Sequence, residues 1–262
     1  MDSLTGGLLG ILQGLTEFLP VSSSGHLVIA ERILGVKASA GLTFEVLLHL
    51  ATLFAVLIYF RKKTLALLLS LFPPYTIDKN PSLGLVGIII LATIPAGIAG
   101  LLFENKVEQA FGSVRATGFF LLFTGLILLL TQLSKSANKD ISPVRGLLIG
   151  LAQAVALLPG VSRSGMTISA GLFQKIEPAQ AAEFSFLLSI PAVAGAVVLK
   201  SKKLLAVGLD TQAMDHYLVG ALAALVVGYI SIALLMKIVK RGKFFYFGVY
   251  CLLMGFLAAI FL

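Results

Sequence analysis

The stretch PGVSRSGMT, residues 159–167, sets Arg163 in an otherwise apolar neighbourhood, between Ser162 and Ser164 and inside Gly160 and Gly165. An arginine near the middle of a bilayer costs roughly 2.5–3.5 kcal/mol even on a lenient insertion scale, so it calls for a partner. A second stretch, QGLTEFLPVSSSGHL, residues 13–27, offers complementary chemistry. Gln13 and Glu17 are four residues apart and share one face of a helix. Pro20 ends that helix; Ser22, Ser23 and Ser24 follow, and Gly25 and His26 open the next. Serine and glycine ahead of a helix are capping chemistry, and a helix N-terminus with free N–H groups attracts anions. Two such N-termini, one Arg, one Glu, one His and several hydroxyls, Thr167 among them, describe a pocket for a strongly anionic group. A phosphate or pyrophosphate fits, because arginine offers phosphate oxygens a planar fork.

The same residues have plainer uses. Arg163 and Glu17 could be an ion pair that ties two segments together. Ser22 and Ser162 could be caps and nothing more, and His26 a satisfied core histidine. Gln13 and Gln153 suit hydrogen bonding to a broken backbone. Glu45 and His49 share a helix face, either as a local pair or as lining of the same cavity.

The elements that must carry these groups are membrane helices. The 262 residues are 58% hydrophobic and only 12% charged, and mean hydropathy is +1.01. A soluble domain has about 25% charged residues, so the chain is all-α and polytopic in the membrane. No charged region with a small-residue cleavage site precedes the first apolar stretch, so no cleaved signal is expected. Cys251 is the only cysteine, which excludes an internal disulfide and offers no thiol–metal site. The net charge of +8 sits between apolar segments, as orientation signals do, and does not point to nucleic acid.

Spans are expected at residues 46–60, 82–103, 116–134, 184–199, 217–236 and 244–262. The first and fourth reach spanning length only by extending N-terminally past Glu45 or Glu183. Residues 4–19 and 146–158 are apolar but stop at Pro and Gly before a serine-rich turn. Each is too short for the ~30 Å hydrocarbon core and reads as one arm of a re-entrant hairpin. These segments also repeat each other at a constant spacing of 140 residues: Gly10 with Gly150, Gln13 with Gln153, Val21 with Val161, Ser22 with Ser162, Ser24 with Ser164 and Gly25 with Gly165. We therefore read one membrane domain, 1–262, of two halves, 1–134 and 141–262, each a re-entrant helical hairpin plus three transmembrane helices. An odd number of spans inverts the second half, the arrangement that places transporter sites at the midplane. Twelve Lys and Arg residues fall on the side holding 61–81, 134–145, 171–178 and 237–243, against seven on the other. The first side is then cytoplasmic, both termini face outward, and the two hairpin tips meet.

With Gln13–Glu17 running into Ser22–His26, and PGVSRSGMT intact, the chain resembles the undecaprenyl-pyrophosphate phosphatases of the bacitracin-resistance (BacA) type. The likeness covers essentially the whole chain; the one variation is Gln13 where some members have Glu. It implies a multi-pass enzyme of the cytoplasmic membrane that dephosphorylates a polyprenyl pyrophosphate lipid, recycles the carrier for cell-wall synthesis and confers bacitracin resistance. It also implies a divalent cation, Mg²⁺ or Ca²⁺, and a site open to the outer face. On that resemblance Arg163, with backbone N–H groups at Ser164–Gly165 and Ser24–Gly25, would hold the pyrophosphate. Ser22, Ser162, Gly160, Thr167 and Gln13 would line the same site. Ser23 would be the nucleophile, with attack by water as the other route. Glu17 would activate Ser23 or hold the metal, and His26 would act as base or protonate the departing oxygen. A homodimer is left open.

Two other classes share parts of this pattern. The SSSGH and SRS stretches echo type-2 phosphatidic acid phosphatases, but no histidine follows Arg163 until His216. A transporter or flippase of a polyprenyl phosphate lipid fits the repeat architecture.

Overall fold

A computed structural model describes residues 2–34, 41–72, 81–135, 138–207 and 214–262. Among them the chain forms twelve α-helices and no β-strand: α1 Ser3–Phe18, α2 Ser23–Leu34, α3 Gly41–Tyr59, α4 Arg61–Leu69, α5 Pro81–Leu102, α6 Glu104–Phe111, α7 Val114–Leu130, α8 Pro143–Val155, α9 Arg163–Phe173, α10 Pro178–Val207, α11 Met214–Lys240 and α12 Tyr246–Phe261. One turn of 3-10 helix, Thr131–Leu133, follows α7.

The hairpin arms end where backbone chemistry requires. Leu19 is pushed to extended geometry, φ −63° and ψ 142°, by the proline that follows it, and α1 stops. At its other end Asp2 caps α1 through Thr5 N–H, 2.8 Å. The counterpart arm, α8, starts on Ser142 with Pro143 in its first turn, where a missing N–H costs nothing. It ends at Val155, three residues short of the expected 158, because the chain turns ahead of Pro159.

Four helices are long and apolar enough to cross a membrane, Pro81–Leu102, Val114–Leu133, Pro178–Ser201 and Met214–Lys240. Among the described residues the bent pair α3–α4, which turns through 84°, passes the same test of length and composition when its two helices are taken together. The short spans do extend past their acids, since α3 begins at Gly41 and α10 at Pro178, ahead of Glu45 and Glu183. The expected last span is a 16-residue apolar helix, α12. Two helices lie outside the expected spans and hairpin arms: α4, directly after Phe60, and the short α6 between α5 and α7.

Equivalent elements of the two halves exchange partners. The arm α1 packs on α11, and its counterpart α8 packs on α5. Both contacts are backbone-close: a methyl on Gly10 would lie 2.1 Å from the carbonyl oxygen of Gly220, and one on Gly150 2.1 Å from that of Ala92. Only small residues permit such approach in a membrane, where packing replaces the hydrophobic drive. Helices α7 and α12 cross with Gly118 against Gly255 and Gly125 against Gly248, so they run antiparallel. Helix α3 is tied near its start to the far part of α10 by Glu45–Lys200. Lys63, at the start of the α4 that follows α3, pairs with Glu183 in the first turns of α10 at 3.1 Å, so α3 and α10 also run antiparallel. An antiparallel course of matching helices is what an inverted repeat requires. Of the charge count, Lys37 and Lys79 and the side chains of Lys202 and Lys203 lie outside the described residues.

Candidate functional site

The turn between α1 and α2 meets the turn between α8 and α9 in the interior. Ser22 takes a left-handed conformation, φ 69°, unusual without glycine, and is 3% exposed. Its Oγ accepts the N–H of Gly25 at 3.3 Å, capping α2, and also the N–H of Gly160 at 3.1 Å, across the pseudo-equivalent turn. Ser162 caps α9 in the same way through Gly165 N–H, 3.1 Å. Ser164 Oγ donates to the carbonyl of Leu19 at 3.3 Å, a second bond between the two turns. Gly160 has φ +95°, and a methyl there would strike the Thr117 carbonyl oxygen at 2.4 Å. Thr124 holds that turn from α7, donating to Gly160 O at 2.9 Å and accepting from Ser162 N–H at 3.2 Å.

Glu17 is the hub between the turns. Its Oε2 accepts Ser23 Oγ–H at 2.6 Å and Gln13 Nε2–H at 3.1 Å, and its Oε1 accepts Arg163 Nη2–H at 2.6 Å. The Arg163 and Glu17 side chains are only 16% and 8% exposed. A buried pair of this kind is costly to desolvate and costly to break. The second arm of the guanidinium, Nη1, is buried with no hydrogen-bond partner, as is Gln13 Oε1. Ser23 and Arg163, at matching positions of the repeat, thus converge on one carboxylate.

The free N–H groups lie one residue upstream of their expected places. Gly25 and Gly165 donate to the capping serines, so the unsatisfied donors are those of Ser23 and Ser24 on α2, and Arg163 and Ser164 on α9. Capping consumes one N–H per helix, which an inspection of glycine positions alone does not reveal. Ser24 Oγ lies 3.3 Å from Ser22 Oγ. Thr167 points back from the turns, donating to Arg163 O at 2.8 Å and meeting Ser185 Oγ at 2.6 Å, so it braces α9 on α10.

His26 is bonded at both ring nitrogens, to Ser22 O at 2.9 Å and to Tyr250 OH at 2.7 Å, and is 5% exposed. No hydrogen bond joins it to Ser23 or Glu17. Tyr250, on α12, carries no signal in the sequence, since it is one of two tyrosines in an apolar helix far from both motifs. Glu45 pairs with Lys200, and His49 Nδ1 meets Glu45 O at 2.9 Å. Gln153, buried like Gln13, has neither end of its amide bonded.

Fold and site together define a multi-pass helical membrane protein with a serine–glutamate–arginine centre where two broken-helix turns meet. Residues 7–257 match the family model described as bacitracin resistance protein BacA, and the chain belongs to that family. It is similar to the undecaprenyl-diphosphatase of Desulforapulum autotrophicum, 40% identical over 99% of this chain and 98% of the relative. The undecaprenyl-diphosphatase of Methanobrevibacter smithii is 43% identical, over 97% and 96% of the two chains. That of Trichlorobacter lovleyi is 44% identical, over 92% and 90%.

Proposed function

We propose that the chain is an integral membrane phosphatase that hydrolyses undecaprenyl pyrophosphate to undecaprenyl phosphate and inorganic phosphate. It thereby recycles the lipid carrier for cell-wall synthesis and confers resistance to bacitracin. The observation that carries this reading is the Ser23–Glu17–Arg163 contact, a hydroxyl at 2.6 Å from a carboxylate that also meets a half-used guanidinium. The activity by which the relatives are named points the same way.

In the reaction, Ser23 Oγ attacks the terminal phosphorus as its proton passes to Glu17 Oε2. The new Oγ–P bond forms while the bond to the bridging oxygen breaks, and undecaprenyl phosphate leaves with the electron pair. Water then cleaves the phosphoserine to release inorganic phosphate, with Glu17 again handling the proton. Arg163 and the open N–H groups of Ser23, Ser24 and Ser164 hold the charge on the transferring group. With both ring nitrogens of His26 engaged, Glu17 is the base.

A divalent cation, as the resemblance implies, finds oxygen donors here. Among the described residues no cluster of three or more His, Cys, Asp or Glu side chains could hold a metal ion. Mg²⁺ is commonly held by one or two carboxylates and substrate phosphates, so Glu17 with the unbonded Gln13 Oε1 is a sufficient protein share. It would neutralise charge on the pyrophosphate. The resemblance implies the cytoplasmic membrane and a site open to the outer face, and the charge count, which puts both termini outside, supports that orientation.

Phosphate release from a polyprenyl pyrophosphate by protein purified in detergent tests the proposal, and a transporter without hydrolysis would give none. Ser23→Ala should stop turnover with substrate affinity roughly intact, because Arg163 and the helix N-termini remain. Undiminished release by Ser23→Ala would replace the serine with an attacking water.

A further inference from the structure

We propose that Tyr250 is a positioning residue for this site: it fixes His26, which fixes the Ser22–Ser23 peptide and so the donor and hydroxyl of Ser23. The inference rests on the phosphatase reading above. Each link is a hydrogen bond. The Ser22 carbonyl can only accept, so His26 Nδ1 carries its proton toward it at 2.9 Å. In the neutral ring Nε2 is then the acceptor, and Tyr250 OH donates to it at 2.7 Å. The two rings lie nearly parallel, with centroids 5.6 Å apart and planes 9° apart, so the ring contact limits tilt and the two hydrogen bonds set which edge of the imidazole faces which partner.

The Ser22 carbonyl also accepts the His26 backbone N–H at 3.1 Å, so one side chain and one main-chain donor of His26 hold the same oxygen. In a trans peptide the C=O and the next N–H point in opposite directions. Pinning Ser22 O toward His26 therefore turns Ser23 N–H the other way, to the open end of α2. The left-handed φ of Ser22 stores strain that would relax if this hold were lost. Cys251, the next residue of α12, meets the Pro20 carbonyl through Sγ at 3.5 Å. One turn of α12 thus holds the first tip on both sides of its serines.

Tyr250→Phe keeps the stacked ring and removes only the donor. We expect kcat to fall roughly tenfold, about one hydrogen bond's worth, with KM within about twofold and the pH profile unchanged in shape. His26→Asn retains an amide donor near the Nδ1 position and should keep clearly more turnover than His26→Leu. Nitrogen-15 spectra of labelled His26 need no substrate: the parent should show the Nδ1–H tautomer alone, and Tyr250→Phe a mixture. Parent-like turnover and an unaltered tautomer in Tyr250→Phe would overturn the proposal. So would His26→Asn as inactive as His26→Leu with a limb of the pH profile lost, which would make His26 a proton-transfer group. Activity in Ser23→Ala sinks the serine mechanism instead, and the tautomer result still decides the role of Tyr250.

Discussion

Replacing Glu17 by glutamine separates the two uses a buried carboxylate has here. Glu17 accepts three hydrogen bonds, from Ser23, Gln13 and Arg163. An amide of the same size keeps one oxygen, and Arg163, which can only donate, will claim it. The new NH₂ then faces Ser23 and Gln13. Gln13 can turn its unbonded Oε1 to meet it, but Ser23 loses its acceptor. Removing one partner of a buried ion pair costs about 3–5 kcal/mol. The retained oxygen still accepts from a charged donor, and such a bond contributes about 1.5–3 kcal/mol. The net loss is about 1.5–2 kcal/mol, enough to lower the melting temperature and too little to unfold most of the protein. Loss of a general base costs kcat about 10²–10⁴-fold. The assay is phosphate release per folded molecule in detergent micelles, with thermal melting on the same sample. Lowered melting with activity within about threefold of the parent would show that Glu17 only ties Arg163 in place, and the base assignment would fall.

Arg163→Lys should lose about 10²-fold or more in turnover although charge is kept, because an ammonium cannot present two parallel N–H groups; near-normal phosphate release, with protein amount confirmed, would contradict that role. Gly160→Ala combines a left-handed φ with a methyl 2.4 Å from Thr117 O, so a destabilisation of about 2–5 kcal/mol is expected as a lower melting temperature in detergent. Gln13→Ala should be milder than Glu17→Gln in the same turnover assay, since Glu17 keeps its bonds to Ser23 and Arg163; the reverse order would move the acid role off Glu17. Chelation should stop phosphate release and Mg²⁺ or Ca²⁺ restore it, and release undisturbed by chelator would leave Arg163 and the N–H groups as the whole charge-handling set.

What was legible follows from how local each signal is. Hairpin arms, caps and the meeting of the tips come from short-range chemistry: Pro20 stops α1, serines cap α2 and α9, and a constant spacing pairs Ser22 with Ser162. The extension of α3 and α10 past their acids was legible because spanning length is a physical minimum. Contacts that depend on which helix lies alongside were not. Tyr250 meets His26 across 224 residues, and nothing in an apolar helix marks which face meets the site. The 84° bend at Phe60 was likewise hidden, since Arg61, Lys62 and Lys63 read equally well as a loop or a helix start. The donors displaced by one residue show a finer limit, because a cap bond alters which N–H is free without altering the motif.

The ion pair and the anion site need not compete as explanations of Arg163. The guanidinium spends one arm on Glu17 and has Nη1 buried with no hydrogen-bond partner. A structural pair would be expected to satisfy both arms, since each unmet charged donor in the interior is costly. On the proposed reading the spare arm is the place of a phosphate oxygen, and Glu17 stands in for the anion on the other arm. A pyrophosphate that draws Arg163 onto itself also draws it off Glu17 Oε1, leaving that carboxylate free to take the Ser23 proton. Binding and activation would then be one event, confined to a carboxylate and to the guanidinium and hydroxyl that each lie 2.6 Å from it. A bilayer tolerates so expensive a group where two capped turns, backed by α7 and α12, keep water and lipid from supplying a cheaper partner.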